Sequence, residues 1–161
     1  MEKPLNPGTS WVAAQFALLT LAAAEPWWGR LVPWPDFRWG PWFSGWEPVV
    51  GTLAAAGGLL ALWSVQTLGR SLTPLPKPKD DAVLVVRGPY RWVRHPIYSA
   101  LVLATAAWGL FWKDPVILGL DGLLVVVFLF KTRLEERWLV GRYPDYEAYR
   151  RRTGRLFPKL F

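Results

Sequence analysis

The chain has 161 residues, of which 52% are hydrophobic, with twelve tryptophans, one histidine and no cysteine. That length suits a single domain, the lack of cysteine excludes disulfides, thiol catalysis and thiolate metal sites, and one histidine leaves no usual zinc ligand set. The formal charge of +7 does not call for a nucleic-acid partner, because the loops account for it by membrane topology.

In chain order, four apolar stretches stand near the 17–25 residues, about 20 on average, that a helical membrane span needs. Ser10–Trp28 is the weakest, since Glu25-Pro26 interrupts its end. A cleaved signal peptide at Ser10–Ala24 is disfavoured, because Glu2 accompanies Lys3 and Glu25-Pro26-Trp27-Trp28 offers no small-residue cleavage site. Between Glu25 and Glu47 lie Trp27, Trp28, Trp34, Trp39, Trp42 and Trp46 among prolines, an irregular segment suited to an aromatic belt at the headgroup level. Pro48–Leu68 is the cleanest span and carries Gly57-Gly58 among alanines, a small-residue patch that lets helix backbones approach.

The loop from Gly69 to His95 opens on Thr73-Pro74-Leu75-Pro76-Lys77-Pro78, an extended, semi-rigid run. Val83–Val86 reads as a short segment dipping into the interface. Gly88-Pro89 marks a turn, and Tyr90–Arg94 a half-turn or short helix. Pro96–Trp112 carries no charge and starts on a proline, whose missing N–H costs nothing at a first helical position. His95 then stands at the N-cap, where unpaired N–H groups and the helix dipole favour an anion. Arg91 and Arg94 add positive charge there, and Tyr98, three residues on, shares the face of His95.

Pro115–Phe130 is the fourth span. It contains Asp121, about 9 Å from its outer end at 1.5 Å per residue, which reads as a packing or outer-cavity residue. Lys131–Arg137 continues helically with both charge signs. Glu135 and Glu136 diverge by about 100°, which sends one inward and one to solvent, while Arg133 and Glu136 at i and i+3 are able to pair. Asp145–Arg152 is an amphipathic piece whose Arg150-Arg151-Arg152 suits lipid headgroups.

The segments outside the four stretches hold, in order, one, two, six, one and nine basic residues. The first, third and fifth therefore belong on the cytoplasmic side. The expectation is an all-α, multi-pass membrane bundle of about four transmembrane helices with a cytoplasmic C-terminal helical extension. It forms one integral membrane domain over residues 1–161, with two N-terminal spans in 1–68 and a cofactor-binding catalytic region in 69–161.

Gly88-Pro89-Tyr90-Arg91-x-x-Arg94-His95-Pro96-x-Tyr98, then Glu135-Glu136, Tyr143-x-x-Tyr146-x-x-Tyr149 and Arg155-x-x-Pro158, resemble the isoprenylcysteine carboxyl methyltransferase family and related membrane phospholipid methyltransferases. The resemblance covers roughly Gly69–Pro158. It implies an enzyme that uses S-adenosylmethionine and a lipophilic or membrane-associated acceptor. By the same resemblance, Tyr90, Arg94, His95, Pro96 and Tyr98 hold the cofactor, with Glu135 or Glu136 from the last helix. Arg133 and Glu136 stand as the candidate catalytic groups, and no metal is implied. Ala100 departs from the family's frequent glycine, which bears on close approach at that point. The residue chemistry runs parallel: a helix start with Arg94 and His95 suits a carboxylate, Glu135 or Glu136 suits ribose hydroxyls or an ammonium, and aromatic faces suit a sulfonium. Two other readings compete, an NADPH-dependent membrane reductase of the sterol-reductase type and a non-enzymatic lipid-binding scaffold. The acceptor atom and the oligomeric state are left open.

Overall fold

The structure, a computed structural model, describes residues 7–29, 45–73, 75 and 82–159. Those residues form five α-helices: α1 Pro7–Trp28, α2 Glu47–Leu68, α3 Pro96–Trp112, α4 Pro115–Arg142 and α5 Tyr146–Arg152. Single 3-10 turns at Gly69–Ser71 and Gly88–Arg91 bracket the central loop. Among the described residues there is no strand, only an isolated parallel bridge between Val93 and Gly154. Most of the tryptophan-rich segment, with Trp34, Trp39 and Trp42, lies outside the described residues.

Two helices are long and apolar enough to cross a membrane, the stretches Glu47–Ser71 and Pro115–Arg142. The third apolar helix, Pro96–Trp112, is shorter, at 17 residues. Helix α1 has the length, at 22 residues, but carries Gln15 and Glu25, both buried.

The sequence places a break at Glu25-Pro26, whereas α1 continues through both to Trp28. Proline in a helix leaves the carbonyl four residues back without its donor. Here that carbonyl belongs to Ala22, and the indole N–H of Trp108 donates to it at 3.2 Å. A neighbouring helix thus supplies the lost bond.

Helices α3 and α4 form a hairpin whose turn is two residues long. Lys113 ends α3 in the left-handed conformation, φ 55°. Asp114 then caps α4, its Oδ1 accepting from the N–H groups of Val116 (2.7 Å) and Ile117 (3.3 Å). Such a cap satisfies donors that the first helical turn leaves open. The two arms match: α3 is 17 residues long, and the seventeenth residue of α4 is Lys131. At 1.5 Å per residue both arms run about 25 Å. His95, just ahead of α3, is therefore brought level with Lys131–Glu136.

Helix α2 covers one flank of α3, while α1 lies along α4 on the other. Gly57 makes the first contact possible. A Cβ there would stand 3.1 Å from the Ala100 carbonyl oxygen and 3.2 Å from the Ala104 nitrogen. Gly58, by contrast, has open space around it among the described residues. Leu18 of α1, Val102 of α3, and Leu124, Val127 and Phe128 of α4 share one core with Leu156.

The tail after α5 turns back onto the start of α3. Gly154 N–H donates to the Trp92 carbonyl (3.0 Å), Arg94 N–H to the Gly154 carbonyl (2.9 Å) and His95 N–H to the Arg155 carbonyl (3.1 Å). Ser99 Oγ donates to the Leu156 carbonyl. A Cβ on Gly154 would collide with the Phe157 carbonyl oxygen, which requires the backbone to move. Gly154→Ala is therefore expected to cost about 1–3 kcal/mol, the usual range for overpacking. Thermal unfolding and proteolysis after Arg155 would read this, and an unchanged melting point with an equally resistant tail would contradict it.

Candidate functional site

The level matching of α3 and α4 assembles a polar cluster at one end of the bundle. Arg94 donates from Nε to Glu136 Oε1 at 2.8 Å. Its Nη1 donates to the carbonyls of Arg150, at 3.0 Å, and Thr153. Nε and Nη1 of the guanidinium are thus held by protein partners, and Arg94 also lines the neighbouring cavity. Arg155 Nη2 reaches the other oxygen of Glu136 at 3.3 Å.

His95 sits between the two glutamates. Nδ1 is 3.3 Å from Glu135 Oε2, and Nε2 is 3.4 Å from Glu136 Oε1. The second approach lacks hydrogen-bond alignment, which leaves Nε2 buried without a bonded partner. Burial by itself drives the ring toward its neutral form, but the adjacent carboxylates of Glu135 and Glu136 outweigh it and raise the pKa above the ordinary histidine value. A raised folded-state pKa gives stability that is complete below the unfolded value of about 6.5 and lost as pH rises through the folded value. The melting temperature is therefore expected to fall as pH climbs above the ordinary histidine range. His95→Gln should flatten that dependence, and an equally steep fall in the variant would contradict the assignment.

Glu135 and Glu136 were expected to split between interior and solvent. Both are buried, because the returning tail and α5 cover the side that a bare helix would expose. Tyr98 donates to Glu135 Oε1 at 2.6 Å. Its ring stacks on His95 at 5.6 Å and on Phe128 at 4.4 Å. The expected Arg133–Glu136 pair does not form. Glu136 is taken by Arg94, His95 and Arg155, and the Arg133 guanidinium stands 5.4 Å over the Phe130 ring.

Beside this cluster lies a cavity of about 350 Å³. Tyr90, Arg94, His95, Tyr98 and Glu135 line it, together with Gln15, Lys131, Tyr143, Tyr146 and Tyr149. Its remaining walls are largely apolar and include Leu72, Val83, Leu101 and Leu139. Glu135 thus faces the cavity, and Glu136 backs it. Pro96 is buried at the first position of α3, which fixes the direction in which His95 enters. Val83–Val86, read from sequence as an interfacial segment, runs beside the cavity with Val83 and Val85 in its wall. Ser71 anchors that run, its Oγ accepting from the Val83 N–H at 3.3 Å.

Three residues of the cavity wall have no site role in the sequence reading, although Lys131 and Tyr146 stand in the stretches it singles out. Lys131 is fully buried and donates to Gln15 Oε1 at 2.6 Å, while its ammonium lies 4.9 Å over the Tyr98 ring. Gln15 comes from α1, which carries no recognisable motif. Tyr146 is buried with its hydroxyl unpartnered, and burial raises its pKa above the usual phenol range, so it stays a neutral hydroxyl. The arm-length match between α3 and α4 is the one sequence signal that would have placed Lys131 beside His95.

Residues 46–146 match the phospholipid methyltransferase family, a stretch that takes in α2, α3 and α4 whole. The chain is 32% identical over 129 residues to the cobalt-zinc-cadmium resistance protein CzcN of Cupriavidus metallidurans, covering 76% of this chain and 55% of that protein. It is 31% identical over 104 residues to the protein-S-isoprenylcysteine O-methyltransferase of Saccharomyces cerevisiae, covering 56% of this chain and 40% of that enzyme. The nickel-cobalt-cadmium resistance protein NccN of Alcaligenes xylosoxydans xylosoxydans is 26% identical over 83 residues, 51% of this chain and 39% of its own length. The chain thus spans about half of the first of these relatives and about two fifths of the other two. With more than half of the chain matched, across three of the five helices, the chain belongs to the phospholipid methyltransferase family.

Proposed function

We propose that this chain is an integral membrane methyltransferase that moves a methyl group from S-adenosylmethionine to a lipophilic or membrane-associated acceptor. The observation that carries this reading is the convergence of His95, Tyr98 and Glu135 on one largely apolar cavity of about 350 Å³. That volume falls within the range of about 300–1,000 Å³ usual for small-molecule sites, which pair apolar walls with a few placed polar groups.

The donor set fits the cofactor's groups. Glu135 offers a carboxylate to ribose hydroxyls or to the ammonium. Lys131 and Arg94 are the cations in the wall; each already has protein partners, Lys131 with Gln15 and Glu135 and Arg94 with Glu136, and a bound carboxylate would share them. Tyr90, Tyr98, Tyr143, Tyr146 and Tyr149 surround the cavity with rings, and ring faces attract a sulfonium. When bound, S-adenosylmethionine supplies an electrophilic methyl group. The chain's own task is then alignment and exclusion of water. Glu136 acts as a positioning residue that holds His95 and Arg94. Arg133 is given no step, because it lies over Phe130 in the adjoining surface.

Basic-residue asymmetry supports placing both termini and the cavity on the cytoplasmic side. Four spans are part of this proposal, with α1 and α3 completing the bundle around the two longer helices. The test is incorporation of radiolabelled methyl groups from S-adenosylmethionine into a total lipid extract by purified protein. Label in one lipid or prenylated fraction is the expected result. No label in any fraction, from protein that is folded, would contradict the activity.

A further inference from the structure

A second concavity, of about 360 Å³, lies on the far side of Glu136 from the cavity just described. Four arginines from three elements reach it: Arg133 and Arg137 from α4, Arg150 from α5 and Arg155 from the tail. Its two acids are already engaged, Glu147 with Arg150 at 3.2 Å and Glu136 with Arg94 and Arg155. Arg133 and Arg137 stand one helical turn apart, and like charges at that spacing repel. Neither makes an ion pair among the described residues. Arg155 Nε is buried with no hydrogen-bond partner.

We infer that this concavity binds the phosphate of an anionic phospholipid headgroup. A guanidinium fork matches phosphate oxygens two at a time, and several such forks here converge without enough carboxylate to neutralise them. Its place along the chain favours a lipid over a soluble ion: Arg133 lies over the ring of Phe130, the residue at which the apolar part of α4 gives way to charged positions, and basic residues next to an apolar span attract anionic headgroups. The site stands apart from methyl transfer, since it needs neither cofactor nor acceptor. Glu136, which backs the cofactor cavity, also lies in the wall of this concavity, where Arg155 binds it at 3.3 Å.

The experiment measures retention of lipid by purified full-length protein, with dioleoyl phosphatidylglycerol, dioleoyl phosphatidylcholine and glycerol 3-phosphate as separate probes. Phosphatidylglycerol is expected to be retained in preference to phosphatidylcholine. Arg137→Gln with Arg150→Gln should weaken it by roughly tenfold or more per arginine, the size of effect of one lost charge-assisted hydrogen bond. Arg151→Gln with Arg152→Gln removes the same charge outside the concavity and should change retention little. Equal losses in the two double variants would overturn the site in favour of diffuse attraction. No preference for phosphatidylglycerol in the wild-type protein would overturn the anionic lipid. Displacement of the lipid by glycerol 3-phosphate at equal concentration would overturn the lipid in favour of a free phosphate ester. Methyl transfer enters none of these readouts, so failure here leaves the proposed reaction standing, and the reverse holds.

Discussion

Arg94→Met is expected to lower folding stability by about 3–5 kcal/mol, the usual cost of removing one member of a buried ion pair. The side chains of Arg94 and Glu136 are 6% and 3% exposed. Without the guanidinium, the Glu136 carboxylate keeps only His95 and Arg155 as cationic neighbours, and the carbonyls of Arg150 and Thr153 lose their donor. Arg94→Lys keeps the charge but loses the planar fork that reaches Glu136 and two carbonyls together, so it should restore only part of the loss. Denaturant unfolding reads both variants. An Arg94→Met protein within about 0.5 kcal/mol of wild type, the range of an ordinary surface substitution, would show that the tail is not pinned in this way.

The second large effect concerns ligand affinity. Glu135→Gln preserves shape while removing the charge that faces the cavity. Hydrogen bonds to charged groups contribute about 1.5–3 kcal/mol, so affinity for S-adenosylmethionine is expected to fall by roughly 10- to 150-fold. Glu136→Gln should act differently, mainly by lowering stability, because that side chain lies behind the cavity wall. Equal affinity losses in the two variants, with equal stabilities, would contradict the assignment of front and back. Lys131→Met provides a third arm: its affinity should also drop, since it removes one of the two wall cations.

Much of this arrangement is written in local sequence. Prolines open α2, α3 and α4 where helix starts are expected, and Asp114 caps the tight α3–α4 turn. The near-equal arms around that turn bring the His95 and Glu135 segments together. What local pattern does not carry are contacts that close over long sequence separations. Helix α1 passes Pro26 only because Trp108, far along the chain, donates to the Ala22 carbonyl. Both glutamates are buried because residues after α5 return to Arg94 and His95. For the same reason Arg94, which looks available at a helix start, already has protein partners. Lys131 reads as the first charge beyond an apolar span, yet Gln15 from the opposite end of the chain draws it inward.

Equilibrium titration of the purified, folded protein with S-adenosylmethionine, set beside the same titration with NADPH, tests the central claim most directly. The account predicts saturable one-to-one binding of S-adenosylmethionine that weakens in Glu135→Gln, with no saturable binding of NADPH. Saturable binding of NADPH alone, or no binding of either ligand, would contradict it.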